Sequence, residues 1–285
     1  MASEIRHIAA AAALALTCAS CGDNLTRPPA LDSYEGAAPA PLECVPNLDG
    51  QLDADELREA LGIPVSFVVS PAGSTRAVDL AGQVNPDGDR RWDWSQAATN
   101  DQLTRIEATA LGDQWYAPEY PGGTFVAPAN PAGTLFNILS RDDSGLYLHG
   151  IASTLESPAE GQTLLKYEQP VALYLFPLTP GKTWVSVGQA RNSTVRGLPY
   201  AGTDTYDTVV EARGQLVLPD LTFDDAYQVH TSVVVAPSVG QSIRTRQVSY
   251  LFECFGEVAR ATSQAGETEK FFTTAAEVRR LGIGY

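Results

Sequence analysis

The chain has 285 residues, 44% of them hydrophobic, and a formal net charge of −15. That length holds one large or two small domains, and that apolar share can bury a real core. The charge excludes a nucleic-acid backbone as partner, because phosphates would be repelled, and reads as a solvated acidic surface.

The N-terminus, MASEIRHIAAAAALALTCASCG, places Arg6 and His7 before a nine-residue apolar run, Ile8 to Leu16. Nine residues are too few to span a bilayer, and small residues follow. Residues 1–20 therefore read as a secretory signal peptide. The end of the run resembles the signal of bacterial lipoproteins, in which an aliphatic residue and two small residues precede the cysteine that is cleaved and acylated. Ala19 and Ser20 precede Cys21, with Cys18 in the aliphatic position. The resemblance implies that Cys21 carries the lipid (a palmitate-type acyl group) and that the exported protein is held at an inner or outer membrane of the cell envelope. Several acyl chains on one cysteine anchor stably where a single short chain does not. Residues 22–43 are rich in Pro, Ala and Gly and read as a flexible tether, reaching on the order of 70 Å at about 3.1 Å per residue.

Two cysteines remain, Cys44 and Cys254. An exported compartment permits a disulfide between them, the alternative being two buried thiols. Pairing would tie the start of the folded domain to its C-terminal hairpin, contributing on the order of 4–5 kcal/mol in the chain-entropy view.

Residues 44–62, CVPNLDGQLDADELREALG, are the most motif-like segment. Asn47, Asp49, Gln51, Asp53 and Glu56 resemble positions 3, 5, 7, 9 and 12 of an EF-hand loop, with Gly50 and Leu52 at positions 6 and 8. That resemblance implies a calcium site. The first position, however, is Val45, which offers no side-chain oxygen, and no helix precedes the loop. The same letters also read as a turn at Asp49-Gly50 followed by a helix. Asp53 would cap that helix, Glu56 complete a capping box, Leu57 and Leu61 form its apolar edge, and Gly62 end it. The capped turn-helix is the preferred reading, and no other cofactor is expected.

From Ile63 to the C-terminus, strand signals dominate. Residues 65–69 form a short apolar strand, and Trp92 and Trp94 alternate onto one side of the next. Residues 101–110 are mildly helical in spacing, through Leu103, Ile106 and Ala110. Residues 115–131, broken by Pro and Gly, read as a long loop or short edge strands. Turns at 141–145 and 179–182 mark hairpins, as does the turn at 237–240; Arg213-Gly214 reads as another turn. Residues 246–263 read as two antiparallel strands, with Val248, Tyr250 and Phe252 on one face and Ser249, Leu251 and Glu253 on the other. A terminal helix is expected from Thr274, with Glu277 in its capping box and Arg279 and Arg280 in its last turn. The expected fold is mainly β: an antiparallel curved sheet, sandwich or half-barrel over residues 63–285, with a few short helices.

Three stretches carry a further resemblance: Leu175 to Trp184 (LFPLTPGKTW), residues 214–222 (GQLVLPDLT) and Tyr250 to Ala261. They resemble uncharacterised exported bacterial lipoproteins and, beyond them, the curved sheets of the periplasmic lipoprotein-carrier class. There a half-barrel wraps a central helix or an apolar ligand. The resemblance covers about 110 residues near 170–280 and implies no catalytic residues. Residues 63–165 depart from it and would add strands or form a separate lobe.

No nucleophile elbow or zinc-protease motif is present. His149 alternates with Tyr147 and Ile151 and reads as packing. His230 shares a face with Gln228 and Ser232 that reads as solvated. The carboxylate pairs Asp142-Asp143 and Asp224-Asp225 fall in turns. The expected role is non-catalytic: a structural or interaction lipoprotein of the envelope, partnered by the membrane through its lipid. The alternatives are a carrier of an apolar ligand, suggested by two-sided apolarity in 171–175 and 229–235, and calcium binding through the loop at 47–56.

Overall fold

A computed structural model describes residues 44–283 except Glu59 and Asp87. The signal, Cys21 and the tether lie outside the described residues. The strands are β1 Val65–Val69, β2 Arg76–Ala77, β3 Gln83–Val84, β4 Arg90–Asp93, β5 Gln102–Ile106, β6 Thr109–Ala110, β7 Phe125–Pro128 and β8 Leu135–Asp142. They continue with β9 Gly145–Ser153, β10 Leu164–Leu175, β11 Thr183–Val195, β12 Leu198–Val217, β13 Thr222–Pro237, β14 Ile243–Phe252, β15 Gly256–Ser263 and β16 Thr274–Leu281. All belong to one open 16-stranded sheet with the order β5-β1-β16-β15-β14-β13-β12-β11-β10-β9-β8-β7-β6. Neighbours along this path are antiparallel, while β4 pairs parallel with β12.

The curvature follows from connectivity. The outermost strands, β5 and β6, are consecutive in the chain and separated only by Glu107 and Ala108. Three Cα–Cα steps of about 3.8 Å bring the two edges within roughly 11 Å of each other there. A strip joined end to end in this way must curl, and strand twist supplies the curl. Beside this corner Leu61 bridges Ala108, and the Gly62 N–H donates to the Ala108 carbonyl at 2.8 Å.

The face of the sheet away from its hollow is covered by chain excursions. Segment 78–94 lays Leu80, Trp92 and Trp94 against Val248, Tyr250, Val258 and Ala261. Both indoles meet the Tyr250 ring edge-on, with centroids 5.1 and 4.9 Å away. Loop 111–123 packs Tyr116 and Tyr120 against Val126, Ile138 and Ala152. Residues 63–165 thus add strands and a cover to the same sheet. The expected alternation in 246–263 is present: Val248 and Tyr250 face this cover, while Gln247 and Leu251 face the hollow.

Four local expectations are corrected. The helix expected after Asp53 is a single 3-10 turn, Ala54–Glu56. Nine residues are marginal as a helix, and tertiary hydrogen bonds from Cys254 N–H to the Glu56 carbonyl and from Gly62 to Ala108 win. Residues 101–110 form β5 and β6, because β1 and β7 offer open backbone groups that a ten-residue helix would leave unpaired. Thr274–Leu281 is strand β16 rather than a helix, held on one side by β15 and on the other by β1 and β2. Arg213-Gly214 is no turn: β12 runs straight through it. Gly214 is required because a Cβ there would lie 2.1 Å from the Arg90 carbonyl of the parallel neighbour β4.

Candidate ligand-binding site

Inside the curl lies a cavity of about 390 Å³, within the usual range for small-molecule sites. Strands from both halves of the sheet wall it. Phe67, Phe125, Leu139, Leu148 and Leu173 make an apolar wall drawn from β1 and β7–β10. All but Leu173 are buried. The mouth is marked by Ile63 and Phe255, which also border the cavity yet are 59% and 57% exposed.

The wall contributed by β14–β16 is polar. Glu257 accepts two hydrogen bonds from each of two arginines, each arginine converging on its own carboxylate oxygen. Arg260 Nε and Nη2 reach Oε2 at 2.9 and 2.6 Å, and Arg279 Nε and Nη2 reach Oε1 at 3.0 and 2.5 Å. Ser249 Oγ donates to Oε2 at 2.8 Å and accepts from Gln247 Nε2 at 2.9 Å. The Arg279 guanidinium also lies 5.7 Å from the Phe67 ring centroid. Burial pushes the Glu257 carboxyl upward, but the charges of Arg260 and Arg279 outweigh it and hold the group below its ordinary range. Arg279 is lowered by burial first and by Arg260 second. These are charge-assisted contacts, stronger than neutral hydrogen bonds, with each guanidinium holding one oxygen of Glu257.

Of the residues singled out in the sequence, Cys44 and Cys254 form a disulfide. It sits at the rim, where Cys254, Phe255 and Leu57 border the cavity. Beside it Glu253 Oε2 accepts from the Asn47 and Leu48 N–H groups at 2.7 and 2.9 Å, fastening the segment that crosses the mouth. The calcium-loop residues turn to their own backbone. Asn47 Oδ1 accepts from the Asp49 N–H, Asp49 Oδ1 from the Gln51 N–H, and Glu56 Oε2 from the Asp53 N–H at 2.9 Å. That last bond belongs to the capping box, and Glu56 is buried by it. Among the described residues no group of three or more His, Cys, Asp or Glu is placed to hold a metal ion.

His230 corrects its expectation. It is 4% exposed, not on a solvated face, because the Phe271 ring packs on it at 5.1 Å and the same face carries buried Gln228. Local alternation identifies the face but not the distant segment that covers it. Burial lowers its imidazole to about 4. His149 Nε2 lies 2.7 Å from Ser140 Oγ. Asp142 accepts from Ser144 and Gly145 at its turn, whereas Asp224 and Asp225 lie in strand β13 rather than a turn, where pairing with β12 sets them, and Asp225 pairs with Arg213.

Sequence reading missed Glu257, Arg260 and Arg279. Arg279 is expected in the last turn of a helix, and Glu257 falls within the expected strands without being singled out. The signal was alternation: with 274–281 read as a strand, Arg279 falls on the face opposite Val278. Compared with family models, curated proteins and solved structures, the chain finds no match.

Proposed function

We propose that the protein is an envelope-anchored lipoprotein whose β domain binds an apolar ligand in the hollow of its curled sheet, without catalysis. The observation that carries this reading is the 390 Å³ cavity walled by Phe67, Phe125, Leu139, Leu148 and Leu173. A purely structural or interaction role would be served by interdigitated side chains at close packing, with voids no larger than a few waters. This one is far larger than such a void. Lining by large aliphatic and aromatic side chains favours hydrocarbon as its occupant. Anchoring rests on the signal-like stretch and the lipobox-like residues before Cys21.

Titration with N-phenyl-1-naphthylamine, a neutral dye that brightens in apolar surroundings, tests the binding. We expect saturable one-to-one enhancement with micromolar affinity, lost in Leu148→Trp, which fills the cavity. Folded wild-type protein that gives no saturable enhancement overturns the reading. Anchoring is tested by fractionating cells that express the full chain. Cys21→Ser should move the protein from the membrane pellet to the soluble fraction, and an unchanged distribution would remove the lipid anchor from the account.

A further inference from the structure

The polar wall carries an imbalance. Two guanidinium groups converge on one carboxylate inside a cavity otherwise walled largely by hydrocarbon. Each arginine uses Nε and Nη2 on Glu257, and the Nη1 of each has no hydrogen-bond partner among the described residues. Glu277, two residues before Arg279, is in no direct ion pair with either among the described residues, although its charge acts on both from further off. In a chain of net charge −15, the charged side chains lining the cavity are Arg58, Arg260 and Arg279 against Glu257 alone. A charge left short of partners in a poorly solvated place is costly, and a second carboxylate is the group whose geometry matches a free guanidinium edge.

We propose that the cavity takes a single-chain amphiphile with a carboxylate head, the head held at the free edges of Arg260 and Arg279 and the chain lying along Leu139, Leu148 and Leu173. This rests on the reading of the cavity as an apolar-ligand site and adds the class of ligand. Glu257 has a defined part in it. It holds both forks in place before the ligand arrives, so that little rotamer freedom is lost on binding. Ser249 and Gln247 brace Glu257 in turn. The arrangement rejects cationic heads by like charge. It prefers an acid to the matching alcohol by the difference between charge-assisted and neutral hydrogen bonds, on the order of tenfold or more.

The test uses displacement of N-phenyl-1-naphthylamine from the folded wild-type protein by laurate, dodecanol and dodecyltrimethylammonium, each below its micelle concentration at neutral pH. The expected order is laurate at least tenfold tighter than dodecanol, with the ammonium compound weakest. Arg279→Gln and Arg260→Gln should each narrow the laurate-to-dodecanol ratio by threefold or more, while Arg260→Lys narrows it less. The alcohol, measured on the same variant, controls for any change in the cavity itself. If the dye binds and all three compounds displace it equally, the carboxylate assignment fails and the apolar site stands. If the ammonium compound is preferred, Glu257 or Glu277 is the anchor and the assignment is wrong in sign. If the dye does not bind folded protein, the apolar-site reading fails first. The wild-type series decides the question even where a variant folds poorly.

Discussion

His230 sits where a proton is poorly tolerated. Burial is the main cause of its low affinity for a proton; Lys270 and Arg246 nearby lower it further, and Glu211 raises it. Unfolded, the imidazole titrates near 6.5, and folded near 4. The folded state therefore binds fewer protons across that interval, so stability is full above about 6.5 and is lost as pH falls toward 4. We expect the melting temperature to decline over this range and the decline to be clearly smaller in His230→Gln. Parallel curves for the two proteins would show that His230 is not desolvated. Glu257 acts in a different window. Its lowered carboxyl contributes stability above its unfolded value near 4.5, lost only as pH falls further. Above about pH 4.5 only His230 of the two contributes to the change, so the upper part of one pH series reports it alone.

At the scale of elements, the segment before β1 depends on its fastenings. Cys44 and Cys254 are 210 residues apart in the chain. Closing so long a loop in the unfolded state contributes on the order of 5 kcal/mol in the chain-entropy view. The segment is also held by Glu253 and by the Leu52–Leu178 bridge, so the folded state should survive without the disulfide. We expect Cys44→Ser with Cys254→Ser to lower the urea midpoint by an amount equivalent to about 3–5 kcal/mol, with the β-type circular dichroism retained. A midpoint within error of wild type would mean that the unfolded chain is already compact around this link. The long strands β12 and β13, of 20 and 16 residues, show the opposite dependence. Each is stapled along most of its length by both neighbours, and bulges at Val210–Ala212 and Gly214–Leu216 let the pair coil without breaking the ladder.

For the whole molecule, continuity of the sheet couples the packed clusters. Trp92 and Trp94 belong to the cluster under segment 78–94 and Trp184 to the cluster around Leu52 and Leu178. Yet β12, β13 and β14 contribute residues to both. No cluster rests on strands of its own, so one should not melt alone. We expect urea transitions followed by a Trp92-only protein, a Trp184-only protein and far-ultraviolet circular dichroism to coincide. Separate midpoints would mean that the sheet frays from one edge, with the β5–β6 corner as the place to look.

The sequence alone carried the β class, the hairpins at 141–145, 179–182 and 237–240, and the alternation of 246–263. These rest on turn chemistry and period-two patterning, which act over a few residues. It also left Cys44 and Cys254 as the pair able to bridge. Tertiary structure decided the rest. Thr274–Leu281 carries a capping-box pattern but becomes a strand, because β15 and β1 satisfy its backbone from both sides. Gly214 resembles a turn residue and instead makes room for Arg90. His230 was placed on the correct face, but its cover comes from residues some forty positions away. The cavity is the extreme case. Glu257, Arg260 and Arg279 meet only once two strands pair in register, and the hollow exists only because two consecutive short strands occupy opposite edges of one sheet. Such contacts depend on register and closure, which no local pattern encodes.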